Sequence, residues 1–184
     1  ISNNHFFSSV FVLLCFLFVI NGANLIDGFN GLLALNLLII NIILTYINLN
    51  NSNLEFSILL ISQIVILLSF LLFNFPHAKI FFGDSGAYLM GSLIALNTIM
   101  TNNLNPNISS FFFCTLLFYI FFEVFFSFFG KLKQNKSPIY PDNKHLHMLS
   151  YLKISSYYGK YKANYLNSLI INIIFLILDI FHKN

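Results

Sequence analysis

The sequence has very little charge. Only 8% of its 184 residues are Asp, Glu, Lys or Arg, whereas 58% are hydrophobic, including 24 Phe. A soluble domain carries about 25% charged residues, so this chain has too few to cover a surface that faces water. The composition excludes an ordinary soluble domain, and we expect no nucleic-acid partner. It predicts an all-α, polytopic membrane helix bundle, because helices satisfy their own backbone hydrogen bonds in lipid.

Cysteine is scarce, and a basic leader is missing. Cys15 and Cys114 lie within apolar runs, so we interpret them as small interior residues rather than as a disulfide or a metal site. No basic segment precedes the first apolar run, which argues against a signal peptide. The chain begins with Ile1 rather than Met. We therefore expect it to be the later part of a larger bundle.

Six apolar segments approach the length that a membrane-spanning helix needs, about 20 residues. They cover residues 6–25, 31–49, 54–75, 85–101, 108–129 and 164–181. The fourth is the shortest, and its small residues suit close helix packing in lipid. The pattern predicts a single integral-membrane domain over residues 1–184, with about six transmembrane helices.

Lysine is absent from two of the connecting loops and concentrated in the others. Seven of the nine Lys lie between Lys131 and Lys162, within the loop 130–163, and Lys79 lies between the third and fourth spans. Residues 48–53 and 102–107 contain none. Positive residues accumulate on the cytoplasmic side. We therefore expect the loops after the first, third and fifth spans to be cytoplasmic, with both ends of the chain facing outward.

Acidic residues and histidines fall in these same three loops. Asp27 follows the first span, Asp84 follows the third, and Asp142, His145 and His147 follow the fifth. Bundling of the helices would bring the three loops close together. The sequence therefore predicts a polar site at the cytoplasmic face.

Each loop also has a simpler explanation. The segment NGANLIDGFNGLLAL (21–35) is equally typical of a well-capped helical hairpin. Asp84 and Ser85 suit either an ordinary helix N-cap or a Mg²⁺ site, in which one or two carboxylates act with substrate phosphates. The Lys-rich loop suits either an anchor to anionic lipid or a cationic pocket for phosphates. Glu123, inside the fifth span, is costly in lipid, so it is either functional or paired, and it could support the loop without touching a substrate.

Three blocks taken together resemble a known family. They are NLIDGFNGL (24–32), FNFPHAKIFFGDSGAYLMG (73–91) and FEVFFSFFGKLKQNKSPIYPDNKHLHML (122–149). In this order, they are similar to the polyprenyl-phosphate N-acetylhexosamine-1-phosphate transferases, glycosyltransferase family 4. The resemblance runs from the first span to the last.

The resemblance implies a Mg²⁺-dependent transferase of the bacterial inner membrane, with Mn²⁺ as an alternative metal. Such an enzyme moves a sugar 1-phosphate from a UDP-sugar to undecaprenyl phosphate, releases UMP and starts a lipid-linked envelope glycan. It also allows a homodimer. By the same resemblance, Asp84 is the metal ligand, and Asp27, His145 and His147 are catalytic. The implied substrate-binding residues are Asn24, Gly28, Phe29, Asn30, Asn74, Phe81, Asp142 and Lys144, with Phe81 stacking on uracil.

The chain departs from the family pattern in three respects. Asn30 stands where many members have Asp, Met148 stands where many have a second adjacent His, and no Asp-Asp pair occurs in the chain. Two other functions are therefore kept as alternatives. One is a non-catalytic membrane fragment or subunit. The other is a transporter, although transporters hold their polar residues near the membrane midplane rather than at span ends.

Overall fold

A computed structural model describes residues 5–133 and 145–181, and this part of the chain is entirely helical. The helices are α1 (His5–Ile26), α2 (Leu32–Asn50), α3 (Leu54–Asn74), α4 (Gly83–Leu104), α5 (Ser110–Leu116), α6 (Phe118–Lys133), α7 (Leu146–Tyr158) and α8 (Lys160–Phe181). The described residues contain no strand. The prediction of an all-α membrane protein is confirmed.

The prediction of about six spans is not supported. Among the described residues, three segments are long and apolar enough to cross a membrane: Ser9–Ile26, Leu32–Asn50 and Leu54–Asn74. Helices α5 and α6 add a fourth if they are one span, although they meet at an angle of 63°. The fourth and sixth predicted spans, α4 and α8, are not among them. Polar residues lower the mean hydropathy of α4, which ends in TNNL. The described side chains of α8 end at residue 177, inside the predicted sixth span, and this part of the helix begins KYKANYLN.

Helix α2 is the most enclosed of the spans. Leu32, Leu37 and Leu44 are completely buried along it, and it packs against α3, α4 and α8. Helix α1 packs against α4 and α6. At Gly91 of α4, an added Cβ would lie 2.8 Å from the Cβ of Ala23. The small residues of the fourth predicted span thus permit close contact between helices.

Large apolar side chains face outward from α3. Ile58, Ile66 and Leu72 are at least 60% exposed, as expected of a surface in contact with lipid rather than water. Helix α3 has few buried residues along its length. It therefore lies at the edge of the described bundle, with its apolar face open to the membrane.

A network of amide side chains joins three helices inside the bundle. The Asn97 amide of α4 donates to Oδ1 of Asn41 in α2 at 3.1 Å and to Oε1 of Gln63 in α3 at 2.6 Å. Gln63 donates back to Asn97 at 3.4 Å. All three side chains are buried. Their hydrogen bonds replace those that water would otherwise supply.

Candidate active site

The turn between α1 and α2 is fastened to the segment between α3 and α4 by two asparagines. Asn74 is buried; its Oδ1 accepts from the Gly31 N–H at 2.6 Å, and its Nδ2 donates to the carbonyl of Ile80 at 2.7 Å. Asn30 donates from Nδ2 to the carbonyl of Pro76 at 2.7 Å. Two loops that are far apart in sequence are therefore held as one unit.

Gly31 allows this contact because of its backbone. Its φ is +76°, in the left-handed region that residues with a Cβ rarely adopt. An added Cβ would also lie 2.7 Å from Cδ2 of Phe75. Both the conformation and the space therefore require glycine at the end of this turn.

Asp27 and Asp84 are brought together by the two fastened loops. Asp27 is half-buried in the turn after α1. Burial, the larger cause, and the charge of Asp84 raise its pKa from 3.8 to about 6, while a hydrogen bond from the Gly83 N–H opposes the rise. The two carboxylates are near enough to repel, although 57 residues separate them in the chain.

Asp84 lies within the first turn of α4 and is exposed. The N-cap position belongs to Phe82, and no side chain caps the helix there. The N-cap interpretation of Asp84 is therefore wrong in position. Its carboxylate instead stands near the positive end of the helix and beside Asp27.

His147 joins the same turn from the third loop. It lies in the first turn of α7 and is only 2% exposed. Its ring meets that of Phe29 edge-on at 5.4 Å. A Cβ placed on Gly28 would stand 3.9 Å from the His147 Nε2 atom. Residues from all three loops thus meet next to Asp27.

His145 stacks on His147, with ring centroids 5.2 Å apart and planes 2° from parallel. The two rings lie on one side because His145 is extended and precedes the helix, with φ −81° and ψ 156°. Asp142 and Lys144, predicted to accompany them, lie outside the described residues.

The residues predicted to bind the nucleoside occupy different environments. Phe81 is 59% exposed, so its ring faces are open to a ligand. Phe29 is 6% exposed and packs on His147 and on Tyr151, with its ring centroid 5.0 Å from that of Tyr151.

Asn24, also predicted to bind the substrate, donates to the Tyr88 hydroxyl at 3.2 Å. The side-chain amides of Asn30 and Asn74 bond to loop backbone, to the carbonyl of Pro76 and to Gly31 and Ile80 respectively.

The donor set fits magnesium better than zinc. Mg²⁺ uses one or two carboxylates together with phosphate oxygens and water, and the adjoining Asp27 and Asp84 offer two carboxylates. Within the described ranges, no group of three or more His, Cys, Asp or Glu side chains lies together in a way that could hold a metal.

Sequence reasoning missed a row of asparagines on α8 that supports this site. Asn164 accepts from the Asn30 N–H at 2.9 Å, and Asn167 donates to the carbonyl of His147 at 2.8 Å. Asn172 donates to the carbonyl of Leu32 at 3.2 Å. The sequence signal that could have revealed these asparagines is their spacing along one otherwise apolar helix.

The match to a known family covers two of the three loops, the turn after α1 and the segment between α3 and α4. Residues 1–102 match the model of glycosyl transferase family 4, and the chain belongs to that family. It is 29% identical over 157 residues to the undecaprenyl-phosphate alpha-N-acetylglucosaminyl 1-phosphate transferase of Thermotoga maritima; the alignment covers 84% of this chain and 45% of the relative.

Shorter alignments link the chain to a second group of relatives. It is 40% identical over 80 residues to the phospho-N-acetylmuramoyl-pentapeptide-transferase of Leuconostoc citreum, covering 44% of this chain and 25% of the relative. The protein of that name from Streptococcus sanguinis is 34% identical over 89 residues, covering 48% and 27%. The chain spans less than half the length of these relatives.

Proposed function

We propose that the full-length protein transfers a sugar 1-phosphate from a UDP-sugar to undecaprenyl phosphate. The sugar that we assign is an N-acetylhexosamine. The transfer starts a lipid-linked glycan of the bacterial cell envelope. The meeting of Asp27, Asp84 and His147 from three separate loops carries the proposal. Membership of the family supports it, as does the name of the Thermotoga maritima relative.

The reaction exchanges one phosphorus–oxygen bond for another. An oxygen of the lipid phosphate attacks the β-phosphorus of the UDP-sugar, and the bond from that phosphorus to the bridging oxygen breaks. UMP leaves with the electron pair. Catalysis of such transfers depends mainly on positioning and on stabilising the developing negative charge.

Asp84 is the residue of this chain that would hold the Mg²⁺ ion, with the catalytic carboxylate of Asp27 beside it. When bound, the ion neutralises charge on the diphosphate. His147, with His145 stacked on it, lies where it can contact the diphosphate or the sugar. The open ring of Phe81 stacks on uracil, because a nucleobase offers a π face to any exposed aromatic ring.

The experiment measures UMP release by membranes containing the full-length protein, undecaprenyl phosphate and each of several radiolabelled UDP-sugars. Asp84→Asn is expected to lower Mg²⁺-dependent release by about 10²–10³-fold, the range for losing one group that stabilises developing charge. Glu55→Gln is the matched control, because Glu55 is exposed at the start of α3, away from the site. Full activity in Asp84→Asn would overturn the metal role, and no release with any UDP-sugar would overturn the function.

A further inference from the structure

The Glu123 carboxylate is completely buried in α6 and is surrounded by hydrogen-bond donors. Its Oε1 accepts from the Tyr119 hydroxyl at 3.1 Å and from the His147 N–H at 3.1 Å. Its Oε2 accepts from the Leu146 N–H at 3.2 Å. The donors replace the hydration that burial removes, so the acid is held in place by its contacts.

The same carboxylate meets the imidazole of His147. Nδ1 of His147 lies 3.0 Å from Oε1, and Nδ1 of His145 lies 4.0 Å from Oε2. An ionised carboxylate only accepts hydrogen bonds. The hydrogen of a neutral His147 ring must therefore be on Nδ1, which leaves Nε2 with a free lone pair.

The free Nε2 atom points toward the site. It lies 3.9 Å from where a Cβ would stand on Gly28, the residue after Asp27. The Phe29 ring and the hydrogen bond from Asn167 to the His147 carbonyl hold the histidine from other directions. Only the Nδ1–H tautomer presents an acceptor to a ligand at this position.

We infer that Glu123 is a positioning residue, which fixes His147 in the Nδ1–H tautomer and orients it by also binding the backbone at the start of α7. Nε2 then accepts a hydrogen bond from a substrate hydroxyl, either of the sugar or of the lipid phosphate. The effect of Glu123 on turnover rests on the proposed function, whereas the tautomer of His147 does not depend on that function. If Glu123 only capped the backbone of α7, it would not determine which ring nitrogen of His147 carries the hydrogen.

The tautomer can be measured without turnover. Full-length protein labelled with ¹⁵N-histidine is reconstituted in lipid bilayers, and the imidazole nitrogen signals of His147 are assigned by their loss in His147→Asn. The wild type is expected to show a protonated Nδ1 and an unprotonated Nε2. If only Nε2 were protonated in the wild type, that result would overturn the inference without any measurement on a Glu123 variant.

Glu123→Gln tests the cause of that preference. Gln offers one acceptor and one donor group in place of two acceptor oxygens, so the Nε2–H tautomer should become populated. We expect kcat to fall by about 10–100-fold, by analogy with the loss of the carboxylate that orients a metal-ligating histidine, with a much smaller change in KM. Glu123→Asp keeps the charge and should retain the Nδ1–H form with part of the activity.

Tyr119→Phe is the comparison variant, because it removes a donor to the same oxygen and leaves both histidines in contact with Glu123. It should keep the wild-type tautomer. An unchanged tautomer and kcat in Glu123→Gln would overturn the positioning role. If the tautomer shifts as expected but no UDP-sugar releases UMP from the wild type, the positioning role stands and the proposed function fails.

Discussion

At Asp27, burial and a neighbouring carboxylate act in the same direction. Together they raise the pKa of this carboxyl from 3.8 to about 6. Between those values, the folded state binds more protons here than the unfolded state does. The free energy of unfolding should therefore fall as pH rises from about 4 to about 6.

This pH dependence can be measured by thermal unfolding of the detergent-solubilised protein in Mg²⁺-free buffer between pH 4 and pH 7. Asp27→Asn should flatten the decline, since an amide does not titrate. Glu55→Gln should leave it unchanged, because Glu55 lies away from this carboxylate pair. Parallel curves for the wild type and Asp27→Asn would show that Asp27 does not cause the dependence.

Gly31 is the residue at which the joined loops are most sensitive to an added methyl group. Gly31→Ala forces a left-handed backbone onto a residue with a Cβ, at about 1–2 kcal/mol, and it displaces the Phe75 ring. We expect a loss of stability of at least that size, together with lower UMP release in the full-length protein. Denaturant unfolding and the UMP assay measure the two effects.

Gly130→Ala provides the control for Gly31→Ala. Gly130 lies in α6, and a Cβ there would meet nothing within 4 Å. Alanine is favoured over glycine inside helices, so this change should be neutral or should stabilise by up to about 1 kcal/mol. Equal effects of the two substitutions would contradict the role given to the Gly31 conformation.

At the scale of the helices, the amide network around Asn97 fixes how α2, α3 and α4 meet. Asn97→Ala removes the hydrogen bonds to Asn41 and Gln63 and leaves both partners buried without them. Hydrogen bonds between membrane helices average about 0.6 kcal/mol, and each unsatisfied partner adds about 1–3 kcal/mol. For the two partners we expect a total loss of about 2–6 kcal/mol, with activity per folded molecule retained.

Reversible unfolding in mixed micelles measures this loss. Ser69→Ala is the control, because the Ser69 hydroxyl is exposed and bonds to the Val65 carbonyl of its own helix. Its effect should stay within about 0.5 kcal/mol. A loss no greater than this in Asn97→Ala would show that the network does not stabilise the bundle.

The helices were predictable to different degrees. Long apolar runs identified α1, α2 and α3, because each residue contributes separately to hydropathy. Helix α4 was harder to assign, since Asn97 and Thr101 count as polar in the sequence yet are buried and bonded to neighbouring helices. The break between α5 and α6 at Leu117 has no proline or glycine to mark it. It depends on packing that the sequence pattern does not reveal.

The charged residues of the candidate site could be predicted from the sequence, but the asparagines that hold its loops in place could not. Asp27, Asp84 and the histidines stand out in an apolar chain, and their shared membrane side suggested that they meet. The asparagines that join the loops did not stand out, because the chain has many and their partners are backbone groups distant in sequence. Asn74 was expected to face a nucleoside, whereas its amide bonds to Gly31 and Ile80.

At the scale of the whole molecule, the distribution of lysine predicts how the bundle crosses the membrane. Lys153 and Lys160 flank the end of α7 near the proposed site, while the turn between α2 and α3 contains no lysine. Since positive residues stay on the cytoplasmic side, the site should face the cytoplasm, where UDP-sugars are made. The α2–α3 turn should face outward.

Cysteine labelling checks this orientation in intact cells. Cys15 and Cys114 are first replaced by alanine, and one cysteine is then introduced at Asn51 or at Tyr158, both of which are exposed. A membrane-impermeant maleimide should label Asn51→Cys in intact spheroplasts and Tyr158→Cys only after permeabilisation. The reverse result would place Asp27, Asp84 and His147 on the outer face. An enzyme that takes a cytoplasmic nucleotide sugar could not work there, so this outcome would contradict both the orientation and the proposed donor.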